Sequence, residues 1–277
     1  MKNKLKIFCL LLLFAGCSPK QTEWVALGDS ITYLNDHVDE TGNRVTKGYM
    51  TRVAEQLQGL RYINQGHNGW TAVQVANKIG ELGIQKADIY SVFLGTNDWW
   101  HGNPVGTLED YKSNSGIGTF AGAMRVIVTT LRNLNNNAPI ILITPMKRDD
   151  FVYVADMKNN AWGSYRDKNG QSLASFADMV RAIGKLENLR VVDLFNDSGM
   201  TYDNLVKFKR LKDPQTGSYK DYPYPDFDGV PFNPATDEYP YPAEAIDMTY
   251  DGLHPSDKGN DVIANMLVKE IKTAVGR

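Results

Sequence analysis

The stretch Trp24-Val25-Ala26-Leu27-Gly28-Asp29-Ser30-Ile31 carries four apolar residues into a glycine, an acid and a hydroxyl. A short unbroken apolar run closed by turn residues reads as a strand buried on both faces. Four similar runs follow, at Arg61–Asn64, Ile89–Leu94, Ile140–Thr144 and Leu189–Asp193, with Val, Ile, Leu and aromatics at their centres. Between them the apolar period changes. Phe120, Met124, Ile127, Leu131 and Leu134 recur at steps of three and four, as do Val73, Ala76, Ile79 and Leu82, and each set is one stripe of a helix. Val262, Ile263, Met266, Leu267, Ile271 and Val275 mark a last helix that opens near Pro255-Ser256. Strands alternating with helices imply right-handed crossovers and a parallel sheet covered on both sides. The expected fold is therefore α/β: a three-layer α/β/α sandwich around a roughly five-stranded parallel sheet.

The composition supports one globular domain. The 277 residues are 42% hydrophobic, 22% charged and 10% aromatic, which excludes collagen-like, coiled-coil and wholly disordered chains. No Gly/Ser-rich or Pro-rich linker divides the chain, so residues 23–277 are read as a single domain. The formal charge is −2, and no Lys/Arg cluster stands out beyond the first residues. Nucleic acid is therefore not an expected partner, since phosphate binding needs a concentrated basic face. One segment breaks the rhythm. From Lys207 to Met248, Tyr, Pro and Asp dominate (Asp221-Tyr222-Pro223-Tyr224-Pro225-Asp226) without a sustained period. So long a loop in a compact domain is a lid, a binding loop or a disordered insertion, and its aromatics argue against disorder.

The first sixteen residues read differently. Lys2, Lys4 and Lys6 precede an apolar run from Ile7 to Phe14, too short to span a bilayer but suited to a secretory signal. The ending Leu13-Phe14-Ala15-Gly16-Cys17 resembles the lipobox of bacterial lipoproteins, which implies cleavage before Cys17, its lipidation and a tether over 17–22. The expected product is an exported protein held to a bacterial membrane, facing the periplasm or the cell surface. Removal of 1–16 leaves 27 Lys and Arg against 32 Asp and Glu, a charge of −5, and no cysteine pair for a disulfide.

In an open parallel sheet, ligands sit beyond the carboxyl ends of the strands. Gly28-Asp29-Ser30-Ile31 follows the first strand, Asn64-Gln65-Gly66-His67-Asn68-Gly69-Trp70-Thr71 the second and Gly95-Thr96-Asn97-Asp98 the third; Asp251-Gly252-Leu253-His254-Pro255 precedes the last helix. Singly, each is more often a turn, a cap or a local hydrogen bond. Together they set a Ser, a Gly, an Asn and an Asp/His pair on one rim of one sheet.

These four blocks resemble those of the SGNH (GDSL-type) esterase and lipase family, over the whole domain. Carried over residue by residue, the resemblance implies Ser30 as nucleophile, His254 as base and Asp251 as the carboxylate that orients it. The amides of Ser30 and Gly69 and the side chain of Asn97 would receive the oxyanion. Gly66 is the other candidate in its block, but Gly69 precedes the Trp70-Thr71 pair as the family pattern asks. Ile31 stands where the family often has Leu, and His67-Asn68 stand where small residues are more frequent. The residue types suit the chemistry: a hydroxyl needs an imidazole to take its proton, and the tetrahedral intermediate needs N–H donors for its oxygen.

Asp29, Trp99 and Trp100 are candidate substrate-binding residues; the two Trp either wall the pocket or pack under the long insertion. His37, His67 and His101 show no metal-ligand spacing, and no metal or cofactor is expected. The resemblance spans carbohydrate O-deacetylases, arylesterases, thioesterases and lysophospholipases. A tethered exported enzyme meets glycans, and the 207–248 segment offers tyrosines and carboxylates for sugar hydroxyls. The expected activity is therefore a serine esterase releasing short acyl groups, O-acetyl above all, from a glycan or small acylated substrate. A lipase or lysophospholipase with the insertion as a lid is the first alternative. A non-catalytic glycan-binding lipoprotein is the second.

Overall fold

Side chains of an extended strand alternate between its two faces, so a strand covered on both sides must be apolar throughout. Ile89–Phe93 and Ile140–Ile143 meet that demand: every residue in them is buried. The one polar member, Ser91, accepts a hydrogen bond from Trp24 Nε1 at 2.9 Å. A computed structural model describes residues 21–163 and 166–276; the expected leader 1–16, Cys17 and most of the 17–22 tether lie outside the described residues. In order the chain forms β1 (Thr22–Gly28), α1 (Ser30–Tyr33), α2 (Tyr49–Gln56), β2 (Leu60–Gly66), α3 (Ala72–Lys78), β3 (Ile89–Phe93), α4 (Thr96–Trp100), α5 (Leu108–Lys112) and α6 (Phe120–Leu134). It continues as β4 (Ile140–Ile143), β5 (Phe151–Val152), β6 (Asn160–Ala161), α7 (Leu173–Glu187), β7 (Arg190–Val192), α8 (Leu194–Asp197), β8 (Lys209–Lys212), β9 (Tyr219–Tyr222) and α9 (Asp257–Ala274).

Five strands pair in the order β2-β1-β3-β4-β7, all parallel. One face presents Val25, Leu27, Tyr90, Val92, Ile140 and Leu142 to α3, α6 and α7. The other presents Trp24, Ala26, Ile89, Phe93, Ile141 and Ile143 to α2 and α9. This is the α/β sandwich expected from the sequence, and each fully buried Leu, Ile or Phe in it contributes roughly 1.5–3 kcal/mol. Helix starts are capped by hydroxyls: Thr71 for α3, Thr119 for α6, Ser172 for α7 and Ser256 for α9 each accept from a first-turn amide. Helix α7 has no counterpart in the sequence reading, although Phe176, Val180 and Ile183 bury one stripe of it.

The topology places the site. The chain leaves β1 to pair β2 on one side, then crosses to pair β3 on the other. The loops after β1 and β3 therefore diverge, and a crevice opens beyond their carboxyl ends. Two antiparallel hairpins lie outside the main sheet, β5 with β6 and β8 with β9. The second belongs to the 207–248 segment, which is more regular than its composition indicates.

Candidate active site

Gly28 ends β1 because a Cβ there would lie 2.1 Å from Thr32 Oγ1. The chain then turns at once. Asp29 caps α1 by accepting from the Ile31 N–H at 3.0 Å, and Ser30 becomes the first residue of the helix. Its hydroxyl meets His254, from the loop before α9, with Oγ 2.9 Å from Nε2. Asp251 lies fully buried behind that ring. Its Oδ2 accepts from His254 Nδ1 at 2.7 Å, while Oδ1 accepts from the N–H groups of His254 (2.7 Å) and Leu253 (3.1 Å). A carboxylate only accepts, so the ring proton sits on Nδ1, and Nε2 is left to accept from the serine hydroxyl. Phe151 packs edge-on to the imidazole at 5.1 Å, and Tyr250 stacks on it at 5.9 Å. Gly252 makes the tight approach (φ +89°): a Cβ would meet the Asp150 carbonyl at 1.8 Å.

The loops after β2 and β3 are braced to each other. Asn97 donates Nδ2 to the Trp70 carbonyl at 3.0 Å, which fixes the amide and leaves its second N–H. Fully buried Asp98 accepts from the Ala72 N–H at 2.8 Å and the Val73 N–H at 3.4 Å, the first amides of α3. Burial raises the Asp98 pKa above the usual carboxylate value. Gly69 (φ +75°) and Asn97 line the same cleft as Ser30 and His254. Gly66 does not; a Cβ on it would lie 2.1 Å from the Tyr33 amide nitrogen, so that glycine serves packing against α1.

The cleft encloses about 290 Å³. Part of its wall comes from residues 148–161, which the sequence reading passes over: Arg148, Phe151, Tyr153, Asn159 and Asn160 all line it. This segment carries no sequence motif, and only its tertiary placement makes it part of the site. Asn68, His101 and Trp100 complete a polar and aromatic lining.

Three expectations need correction. Asp29 is 1% exposed and sits behind Ser30 as a cap rather than in the cleft; burial pushes its carboxyl up to about 6. Trp99 is 2% exposed, packs in the core and donates Nε1 to the Gln171 carbonyl at 3.0 Å; of the Trp pair only Trp100 lines the cleft. The 207–248 segment contributes no lining residue either. Three of its polar side chains instead brace the 149–152 wall. Buried Lys209 holds Asp149 and Asp150 at 2.7 Å each, Tyr239 donates to the Val152 carbonyl at 2.9 Å, and Tyr241 donates to the Asp150 carbonyl. Burial also pushes the Asp149 carboxyl up to about 6. Among the described residues no cluster of His, Cys, Asp or Glu is placed to hold a metal.

Residues 26–262 match the model of the GDSL-like lipase/acylhydrolase family. A possible lipase from Chitinophaga pinensis is 58% identical over 92% of this chain and 99% of its own, with a TM-score of 0.90. An acetyl xylan esterase shares the fold at 18% identity over 90% of this chain and 99% of its own, with a TM-score of 0.54. So does an acetylxylan esterase from Geobacillus stearothermophilus, at 19% identity over 91% and 94% with a TM-score of 0.52. No curated protein matches. The parallel sheet, the crevice at its switch point and the match over most of the chain make this protein a carboxylic ester hydrolase that belongs to the GDSL-like lipase/acylhydrolase family.

Proposed function

We propose that the protein is a serine esterase that removes short acyl groups, O-acetyl in particular, from carbohydrates. The observation that carries this reading is the unbroken relay from Asp251 through His254 to Ser30 at the floor of a cleft walled by amides and aromatics. Ser30 Oγ attacks the acyl carbonyl as its proton passes to His254 Nε2. The negative oxygen so formed is met by the amides of Ser30 and Gly69 and by the free N–H of Asn97. His254 then returns the proton to the departing alcohol, and water repeats the sequence to release the acid. Asn68, Asn159 and Asn160 suit sugar hydroxyls, and Trp100 suits a sugar face. The aliphatic residues of that lining, Leu34, Ala161 and Leu253, are outnumbered by its polar and aromatic ones, which suits a short acyl group better than a long chain. The fold is shared with two acetylxylan esterases and with a possible lipase, so the cleft lining and not the fold carries the choice.

A panel of acetylated polysaccharides with acetate release as readout tests the proposal, beside nitrophenyl esters of increasing chain length and Ser30→Ala. Activity that peaks at long chains and rises with micelles sinks the deacetylase reading in favour of a lipase. Equal rates for wild type and Ser30→Ala leave only a glycan-binding role. We also propose export by residues 1–16 and lipid anchoring at Cys17; fatty-acid labelling that persists in Cys17→Ser refutes the anchor.

A further inference from the structure

Asp150 is held at two points by the 207–248 segment. Lys209 Nζ donates to its Oδ2 at 2.7 Å, and the Tyr241 hydroxyl donates to its carbonyl. Both anchors come from one piece of structure, because the Arg210 N–H donates to the Pro240 carbonyl at 2.9 Å. Tyr241 is itself fixed: its side chain is fully buried, and its carbonyl accepts from Arg44 Nη2 at 3.3 Å. Burial pushes its hydroxyl pKa well above the usual value, so the donor is present across the working pH range.

The residues flanking Asp150 carry this hold to the catalytic loop. The Asp149 N–H donates to the Gly252 carbonyl at 2.8 Å, and the Val152 N–H donates to the Asp251 carbonyl at 3.3 Å. Phe151 lies between them and meets the His254 ring edge-on at 5.1 Å. Gly252 fits against the same point: a Cβ there would lie 2.7 Å from the Tyr241 hydroxyl oxygen. Tyr239 adds a second pin, donating to the Val152 carbonyl at 2.9 Å. The relay tolerates little play. His254 has to keep 2.9 Å to Ser30 Oγ and 2.7 Å to Asp251 Oδ2 at once, and a misplacement on the order of 1 Å costs ~10² in rate. A buried ring that only filled space would do so without its hydroxyl. We propose that Tyr241, seconded by Tyr239, is a positioning residue: it fixes the 149–152 wall, and the wall fixes the Asp251–His254 loop against Ser30. The 207–248 segment then serves turnover without entering the cleft. This rests on the relay of Ser30, His254 and Asp251 described above.

Tyr241→Phe removes the hydroxyl and keeps the ring. Its kcat for 4-nitrophenyl acetate falls about tenfold with KM little changed, since the residues that line the cleft are untouched. The control is Ile127→Val, which trims a buried side chain of α6, lines no part of the cleft and lowers Tm without lowering kcat. The NMR resonance of the proton between His254 Nδ1 and Asp251, identified by its loss in His254→Gln, broadens in Tyr241→Phe and is unchanged in Ile127→Val. A folded Tyr241→Phe enzyme with wild-type kcat, an unmoved resonance, or a kcat loss that Ile127→Val reproduces overturns the proposal. Should Tyr241→Phe fail to fold, Tyr239→Phe takes its place with the same readouts and the same refuting results. Wild type that shows no Ser30-dependent hydrolysis of 4-nitrophenyl acetate refutes the esterase site itself, whereas hydrolysis that Tyr241→Phe leaves at full rate refutes only the pin.

Discussion

Replacing Asp251 with Asn tests the relay at its most sensitive point. The carboxylate is fully buried and makes three hydrogen bonds, two to backbone N–H groups through Oδ1 and one to His254 Nδ1 through Oδ2. In Asp251→Asn the amide oxygen can keep both backbone donors, which turns the new NH2 toward His254 Nδ1. Two donors cannot face each other, so the imidazole proton moves to Nε2, where it points at Ser30 Oγ instead of accepting from it. General-base assistance, typically ~10²–10⁴ in rate, is then lost. The imidazolium of the transition state also forfeits a charged hydrogen bond of about 1.5–3 kcal/mol. Counting their overlap, kcat for 4-nitrophenyl acetate falls on the order of 10⁴-fold, equivalent to about 5 kcal/mol of barrier. Initial rates are read against Ser30→Ala as the floor, with circular dichroism confirming that the variant is folded. A folded Asp251→Asn enzyme that keeps more than about a tenth of wild-type kcat refutes the tautomer argument.

Three further outcomes are expected. Asn97→Ala removes the N–H proposed above for the oxyanion and lowers kcat by ~10²–10³ with a smaller change in KM; a pure KM effect in steady-state kinetics contradicts that role. Lys209→Met strips the buried ammonium from Asp149 and Asp150 and destabilises the fold by about 3–5 kcal/mol, a Tm loss on the order of 10 °C by calorimetry; an unchanged Tm argues that the pin is idle. Asp29 titrates at about 6 in the folded protein instead of near 3.8, so between those values the native state binds more protons than the unfolded one. Stability therefore falls as pH rises through this window, by about 3 kcal/mol. Asp29→Asn keeps the cap but lacks the titration, and urea melts at pH 4 and 7 should show the variant gaining on wild type at the higher pH. No change in the difference between them sinks this account.

Much of the fold is legible in the chain because burial on both faces leaves little choice of residue. Ile140–Ile143 and Ile89–Phe93 read as strands for the same reason that they pack as strands. The blocks around Ser30, Gly69, Asn97 and His254 are likewise visible, since each joins a strand end or helix start to a polar side chain. Trp99 and Trp100 were indistinguishable as neighbours; only the turn of α4 separates a core ring from a cleft ring. Strand β8 was hidden by Lys209, a charge at a position whose alternation calls for an apolar residue, intelligible only beside the acids at 149 and 150. The 148–161 wall carries no local signal because its meaning lies in what faces it across the cleft.

The buttress formed by Lys209, Tyr239 and Tyr241 meets the wall from behind, while the tip of its hairpin, Pro214–Ser218, is exposed to solvent. Anchorage and tip are thus at opposite ends of one arm, which makes this turn a grafting point. A peptide or an added module inserted there would ride on the enzyme without entering its crevice, so reach toward a polymer could be engineered separately from turnover.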